Sequence, residues 1–155
     1  NGVGKSTLLK RAAEELLPRR DIRTAYMPQN YDEGLLGDRT PVDLLCPTGH
    51  RDEVTRARTL LGAMKYKTEE MDHPARALSG GQRAKLLFLS MVLQGANVLV
   101  LDEPTRNFSP LSAPVIRRAL ADFPGAIVSV SHDRLYLDEV CTRVMELTEE
   151  GLREV

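Results

Sequence analysis

Val98-Leu99-Val100-Leu101 is an unbroken apolar run that ends in two adjacent acids, Asp102 and Glu103. A strand with one wet face alternates apolar and polar residues, so a run without alternation marks a parallel strand covered on both faces. Residues 126–130, Ala-Ile-Val-Ser-Val, form a second run of the same kind. Parallel neighbours cannot be joined by a tight turn and need a crossover, for which residues 110–123 are a helical candidate. These features predict an α/β chain built on a parallel sheet.

The remaining pattern fits that frame. Leu8, Leu9, Ala12, Ala13, Leu16 and Leu17 recur at helical spacing until Pro18, which predicts an amphipathic helix over residues 6–17. Residues 22–27 read as a short strand stopped by Pro28. Thr40 followed by Pro41 has the form of an N-cap and a first-turn proline, opening a short helix that runs to Leu45. A further helix is expected over residues 52–64, with Val54, Ala57, Leu60, Leu61 and Met64 on one face. Ser79 and Gln82 have capping-box spacing ahead of the apolar run 86–93, which puts Gly80 and Gly81 at a helix N-terminus. A short helix over 133–140 should lead to an edge strand near 144–147.

Composition narrows the class without naming a function. The chain has 155 residues, 42% of them apolar, enough for one domain with a core. A net charge of −1 provides no broad positive field for nucleic acid, and Arg19, Arg20, Arg23, Arg117 and Arg118 read as solvated charges. Cys46 and Cys141 stand far apart and outside any Cys-x-x-Cys spacing, as reduced thiols of a cytoplasmic protein would. No apolar run approaches the roughly 20 residues that a membrane span needs, so direct membrane insertion is not expected.

Three motifs carry chemistry. Asn1-Gly2-Val3-Gly4-Lys5-Ser6-Thr7 matches the second half of the phosphate-binding loop G-x-x-x-x-G-K-[ST]. In such a loop the glycines let backbone amides turn inward around phosphate oxygens and the following helix points its positive end at them. Lys5 would add a charge near the β and γ phosphates, and Ser6 would hold Mg²⁺ through its hydroxyl. Asp102, at the C-terminal end of a parallel strand, stands where open α/β sheets bind ligands and could reach the same Mg²⁺ through water. Glu103, one residue on, is suited to polarise an attacking water as general base. Third, Leu78-Ser79-Gly80-Gly81-Gln82 presents bare glycine amides and a helix dipole to an anion, with the Ser79 hydroxyl able to bond a γ-phosphate.

In this order the motifs resemble those of ATP-binding-cassette (ABC) ATPases, with Ser79, Gly80, Gly81 and Gln82 matching the family signature. The resemblance extends from Asn1 to about Leu147. It implies a P-loop NTPase core over residues 1–29 and 94–155, with a helical signature subdomain inserted over about 30–93. It gives Gln29 the place of a glutamine that contacts Mg²⁺ and the attacking water, and His132 that of a switch histidine on the γ-phosphate. It also implies ATP and Mg²⁺ as cofactors and a second cassette, in the same chain or in a homodimer, sandwiching nucleotide between the phosphate loop of one and the signature of the other.

Arg83, Asp102-Glu103-Pro104-Thr105 and Ser131-His132-Asp133-Arg134 with Tyr136-Leu137 resemble the ABC-F branch, tandem ATPases without membrane domains. That resemblance implies a second-cassette position and action on the ribosome, with antibiotic resistance among the roles of the branch. The alternatives are the ATPase subunit of a membrane transporter, with a permease as partner, and an ATP-gated clamp that does not turn over. Arg106-Asn107-Phe108-Ser109 departs from the family pattern by placing Ser109 where an Asp of the D-loop is usual.

By the same resemblance, an N-terminal β-subdomain carrying the adenine pocket and the strand feeding the phosphate loop should precede Asn1. Residues 1–155 alone are therefore expected to bind Mg-ATP weakly, and titration calorimetry on that fragment checks this. Tight Mg²⁺-dependent binding would show that the upstream elements are dispensable.

Overall fold

The computed structural model describes residues 4–29, 37–106, 108, 110 and 113–155. In chain order its elements are α1 (Lys5–Leu16), β1 (Thr24–Met27), α2 (Pro41–Leu45), α3 (Arg51–Ala63), α4 (Thr68–Asp72), α5 (Gly80–Leu93), β2 (Val98–Asp102), α6 (Ala113–Ala121), β3 (Ala126–Val130), α7 (Arg134–Val140), β4 (Met145–Thr148) and β5 (Gly151–Glu154). A 3₁₀ turn, Ala75–Ala77, precedes α5. Contacts divide the chain into two compact units, Asn1–Gln29 with Ala96–Val155, and Asn30–Gly95.

The first unit is built on a parallel sheet of order β1-β2-β3. Leu99, Val100 and Leu101 of the central strand are 0% exposed, as the unbroken apolar run requires. The register aligns Tyr26, Val100 and Val128, and it aligns Asp102 with Val130. Period-two alternation then puts Tyr26, Val100 and Val130 on one face, where Leu9 and Ala13 of α1 pack. Ser129 lies on the opposite face, and there Tyr136 of α7, fully buried, donates its hydroxyl to Ser129 Oγ at 3.0 Å. Burial pushes the Tyr136 phenol up to about 12.

The sequence expectations for this unit change in several places. Leu8 and Leu17 are exposed, so the apolar stripe of α1 is narrower than its sequence suggests. Among the described residues β3 pairs only with β2, and Val128 is 44% exposed. Among the described residues the segment after α7 is not part of the parallel sheet, and β4 pairs antiparallel with β5 in a hairpin. Arg117 is also not a solvated charge: it is buried, and its Nε donates to Glu139 Oε2 at 2.7 Å, tying α6 to α7. A side chain buried with a specific carboxylate partner looks, in sequence, the same as a solvated one.

The second unit is helical. Leu45, Ala57, Leu61, Met71 and Leu86 build its core around Tyr66, bringing α2, α3, α4 and α5 together. Thr40 caps α2 as its sequence predicts: Asp43 N donates to Thr40 Oγ1 at 3.1 Å and Thr40 N to Asp43 Oδ2 at 3.3 Å. The sequence pattern did not indicate α4, a single turn of five residues.

Gly125 marks where β2 and β3 start to pair. A Cβ there would lie 2.2 Å from the Asn97 carbonyl oxygen, which accepts from Ala126 N at 2.9 Å. Gly125→Ala must therefore spread the first rung of the β2–β3 ladder, and about 1–3 kcal/mol of destabilisation is expected from the overpacking. Urea unfolding measures it; an unchanged midpoint would mean that the close approach is not needed.

Candidate functional site

Each chemical group of the first unit is set by the end of a regular element. α1 starts from Gly4, whose φ of 81° is left-handed, and no side chain caps this start among the described residues. The first-turn amides have no partner within the helix, which suits them to an anion. Ser6, in that turn, donates through Oγ to Asp102 Oδ1 at 3.3 Å. Asp102 is the last residue of β2 and only 4% exposed, so sheet edge and helix start meet at this contact. Burial first, and the Asp102 carboxylate second, push the neighbouring Tyr26 phenol up.

Glu103 turns the chain sharply out of the sheet. Its φ of 52° lies in the left-handed region, which costs a non-glycine residue roughly 1–2 kcal/mol. Strain of this kind persists where the surroundings over-determine it. Here Glu103 N donates to Val130 O at 2.8 Å, extending the β2–β3 ladder by one rung, and Arg106 N closes the turn onto Glu103 O at 3.1 Å. The carboxylate is thereby carried to the loop after β3. His132 N donates to Glu103 Oε2 at 3.4 Å, and His132 Nε2 stands 3.6 Å from Glu103 Oε1. The Glu103 side chain is 12% exposed and that of His132 56%.

The loop that carries His132 is itself fixed. Asp133 N donates to Ser131 Oγ at 3.1 Å, and the Asp133 carboxylate caps α7 by accepting from Leu135 N at 3.0 Å and Tyr136 N at 3.4 Å. Together with Tyr136 bonded to Ser129, this holds His132 between two pinned residues.

The structure thus brings Ser6, Asp102, Glu103 and His132 to the C-terminal edge of one sheet. Lys5 and Thr7 lie in the first turn of α1, and Gln29 is half-buried two residues beyond β1. Asn1, Gly2 and Val3 lie outside the described residues, as does Ser109. Ser79, Gly80, Gly81 and Gln82 belong to the second unit. There Gln82 N donates to Ser79 Oγ at 3.3 Å and Ser79 N to Gln82 Oε1 at 2.9 Å. Sequence reasoning did not find the left-handed turn at Glu103, and two adjacent acids give no signal of it.

A phosphate-loop helix facing a strand that ends in Asp-Glu on a parallel sheet defines a P-loop NTPase. A family model described as ABC transporter matches residues 13–106, and the chain belongs to this ATP-binding-cassette family. It is 35% identical to the putative ATP-binding protein YdiF of Bacillus subtilis, over 99% of this chain and 25% of that protein. ABC transporter F family member 2 of Arabidopsis thaliana is 30% identical over 99% of this chain and 24% of its own length. The chain therefore spans about a quarter of these relatives. Among solved structures, the ATP-binding cassette MJ0796, a dimer bound to ADP and Pi after hydrolysis, shares the fold with a TM-score of 0.77, at 18% identity over 99% of this chain and 81% of that one. The archaeal ribosome recycling factor aABCE1, solved with the ribosomal stalk protein aP1, has a TM-score of 0.70 at 25% identity, over 94% of this chain and 30% of that one.

The capping at Ser79 has a measurable consequence. Ser79→Ala is expected to lower stability by about 1 kcal/mol, the usual worth of such a cap, and Ser79→Asp to restore it. Chemical denaturation of the two variants checks this; equal loss in both would show that the Ser79 hydroxyl does not act as a cap.

Proposed function

We propose that this chain is an ATP-hydrolysing cassette, the second of two in an ABC-F protein, and that the whole protein cycles between ATP-closed and open forms on the ribosome. The observation that carries the catalytic reading is the meeting of Ser6 with Asp102 and of Glu103 with His132 at one sheet edge. Relatives in the F family support the branch, and the likeness to a ribosome recycling factor supports the partner.

In this reading the amides of Gly2, Val3, Gly4, Lys5, Ser6 and Thr7, with Asn1 at the loop entrance, cradle the phosphates of one nucleotide, and the Lys5 ammonium neutralises β and γ oxygens. Ser6, Asp102 and Gln29 are the hard oxygen donors for Mg²⁺, and the 3.3 Å approach of the first two suits a shared cation. When bound, Mg²⁺ withdraws charge from the phosphate oxygens. Glu103 accepts the proton of the attacking water while it holds the backbone of His132, and the exposed imidazole of His132 faces the γ-phosphate. Ser79, Gly80, Gly81 and Gln82 contact the γ-phosphate of a second nucleotide, held by the partner cassette.

The core in this reading covers residues 1–29 and 94–155 and the signature subdomain about 30–93. Glu103→Gln keeps the turn and the side-chain size but removes the base. In the full-length protein turnover should fall by about 10²-fold or more while ATP is retained. The trapped protein should then co-sediment with ribosomes only when ATP is present. Unchanged turnover would refute the role of Glu103. Loss of turnover without any ATP-dependent shift into the ribosome fraction would refute the ribosomal partner and favour a permease.

A further inference from the structure

Within the Asn30–Gly95 unit, the peptide between Leu78 and Ser79 is held along both of its edges by side chains of α5. Leu78 is extended, at φ −72° and ψ 151°, and Ser79 is the N-cap, so neither polar group of that peptide takes part in the bonds inside the helix. Its N–H, from Ser79, donates to Gln82 Oε1 at 2.9 Å, and its carbonyl, from Leu78, accepts from Arg83 Nη1 at 2.9 Å. Gln82 and Arg83 are consecutive residues at the start of α5. The peptide plane cannot rotate without breaking at least one of the two bonds, and the Tyr66 hydroxyl, donating to the Gln82 carbonyl, holds the helix end of this arrangement.

Arg83 Nη1 also approaches Arg76 O at 3.4 Å, which links the 3₁₀ turn to the start of α5. That turn is fixed by other bonds as well. Ala75 N donates to Arg39 O at 2.9 Å, Ala77 N closes onto Pro74 O at 2.9 Å, and the Arg76 guanidinium pairs with Asp38. Arg83 therefore reaches from the helix to carbonyls of a segment that is held from its other side. Nε of the same guanidinium is buried with no hydrogen-bond partner among the described residues. A buried N–H without an acceptor opposes folding, so stability alone does not account for an arginine at this position. What the guanidinium supplies is a long, charged donor to the Leu78 carbonyl, the stronger kind of hydrogen bond.

We propose that Arg83 is a positioning residue for ATP hydrolysis: by holding the Leu78–Ser79 peptide it fixes the direction in which the Ser79 hydroxyl and the amides of Gly80 and Gly81 meet the γ-phosphate of the partner cassette's nucleotide. The inference rests on the reading of that turn as a phosphate contact. It goes beyond that reading by giving the residue after the turn a role exerted through the backbone.

The test is made in the full-length protein. Arg83→Met keeps a long apolar stem but removes the donor, whereas Arg83→Lys keeps a donor and the charge. Arg83→Met is expected to lower kcat about fivefold, the scale of one lost hydrogen bond, with KM for ATP within about twofold because the other cassette's phosphate loop holds that nucleotide. Arg83→Lys should retain at least about half of the parental kcat. Ser79→Ala shows whether the effect runs through the turn: in that background Arg83→Met should cost no more than about twofold, since residues that act through one another are not additive. Parental turnover in Arg83→Met, an equal loss in Arg83→Lys, a loss carried by KM, or the full cost on top of Ser79→Ala would each overturn the role of Arg83. Should thermal unfolding show that Arg83→Met does not fold, Arg83→Leu, which also lacks a donor, is measured with the same expectations. Gly81→Asp separates the two claims. If it leaves turnover unchanged, the phosphate-contact reading fails and the positioning role with it. If it abolishes turnover while the Arg83 variants match the parent, the reading stands and the positioning role alone falls.

Discussion

The candidate site depends on the burial of β2 between two parallel neighbours. With Leu99, Val100 and Leu101 fully buried and paired on both sides, the strand cannot slip by one residue without exchanging its two apolar faces. That constraint places Asp102 at the end of the ladder, opposite Val130, on the face where α1 packs. Ser6 meets Asp102 because Leu9 and Ala13, further along the same helix, are locked onto that face. The hydroxyl–carboxylate contact is thus a consequence of core packing several residues away.

The same ladder explains the unusual backbone at Glu103. Its amide continues the pairing to Val130 while the chain must leave the sheet, and the left-handed φ satisfies both demands. The carboxylate then lies against the loop after β3 rather than in solvent. That loop is pinned on each side of His132, by Ser129 bonded to Tyr136 and by Asp133 capping α7. Glu103 and His132 are therefore brought together by two segments that are each held by hydrogen bonds of their own.

Much of this was legible in the sequence because the signals were local. The Thr40 and Ser79 caps depend on residues three positions apart, and both appear with the reciprocal bonds their spacing predicts. The Val98–Leu101 run foretold a strand buried on both faces because parallel pairing leaves no wet side. The failures involve partners distant in sequence. Arg117 is buried through Glu139, 22 residues on. β4 and β5 pair with each other, and no local pattern in residues 144–147 distinguishes a hairpin strand from a sheet edge. The bond from the Tyr66 hydroxyl to the Gln82 carbonyl spans 16 positions, with no periodicity to reveal it.

The two helix starts that carry glycine motifs are built on opposite principles. α5 begins with Ser79 and Gln82 satisfying each other's backbone amides, and the Tyr66 hydroxyl donates to the Gln82 carbonyl. Its first turn is therefore held by the protein itself. α1 begins at a left-handed glycine with no side-chain cap among the described residues. An uncapped start loses the roughly 0.5–2 kcal/mol that a capping side chain contributes, and an anion at the same amides can supply it. Binding phosphate would thus add more order at α1 than at α5. The start of α1 is suited to respond to an anion, whereas the first turn of α5 is already formed by its own side chains.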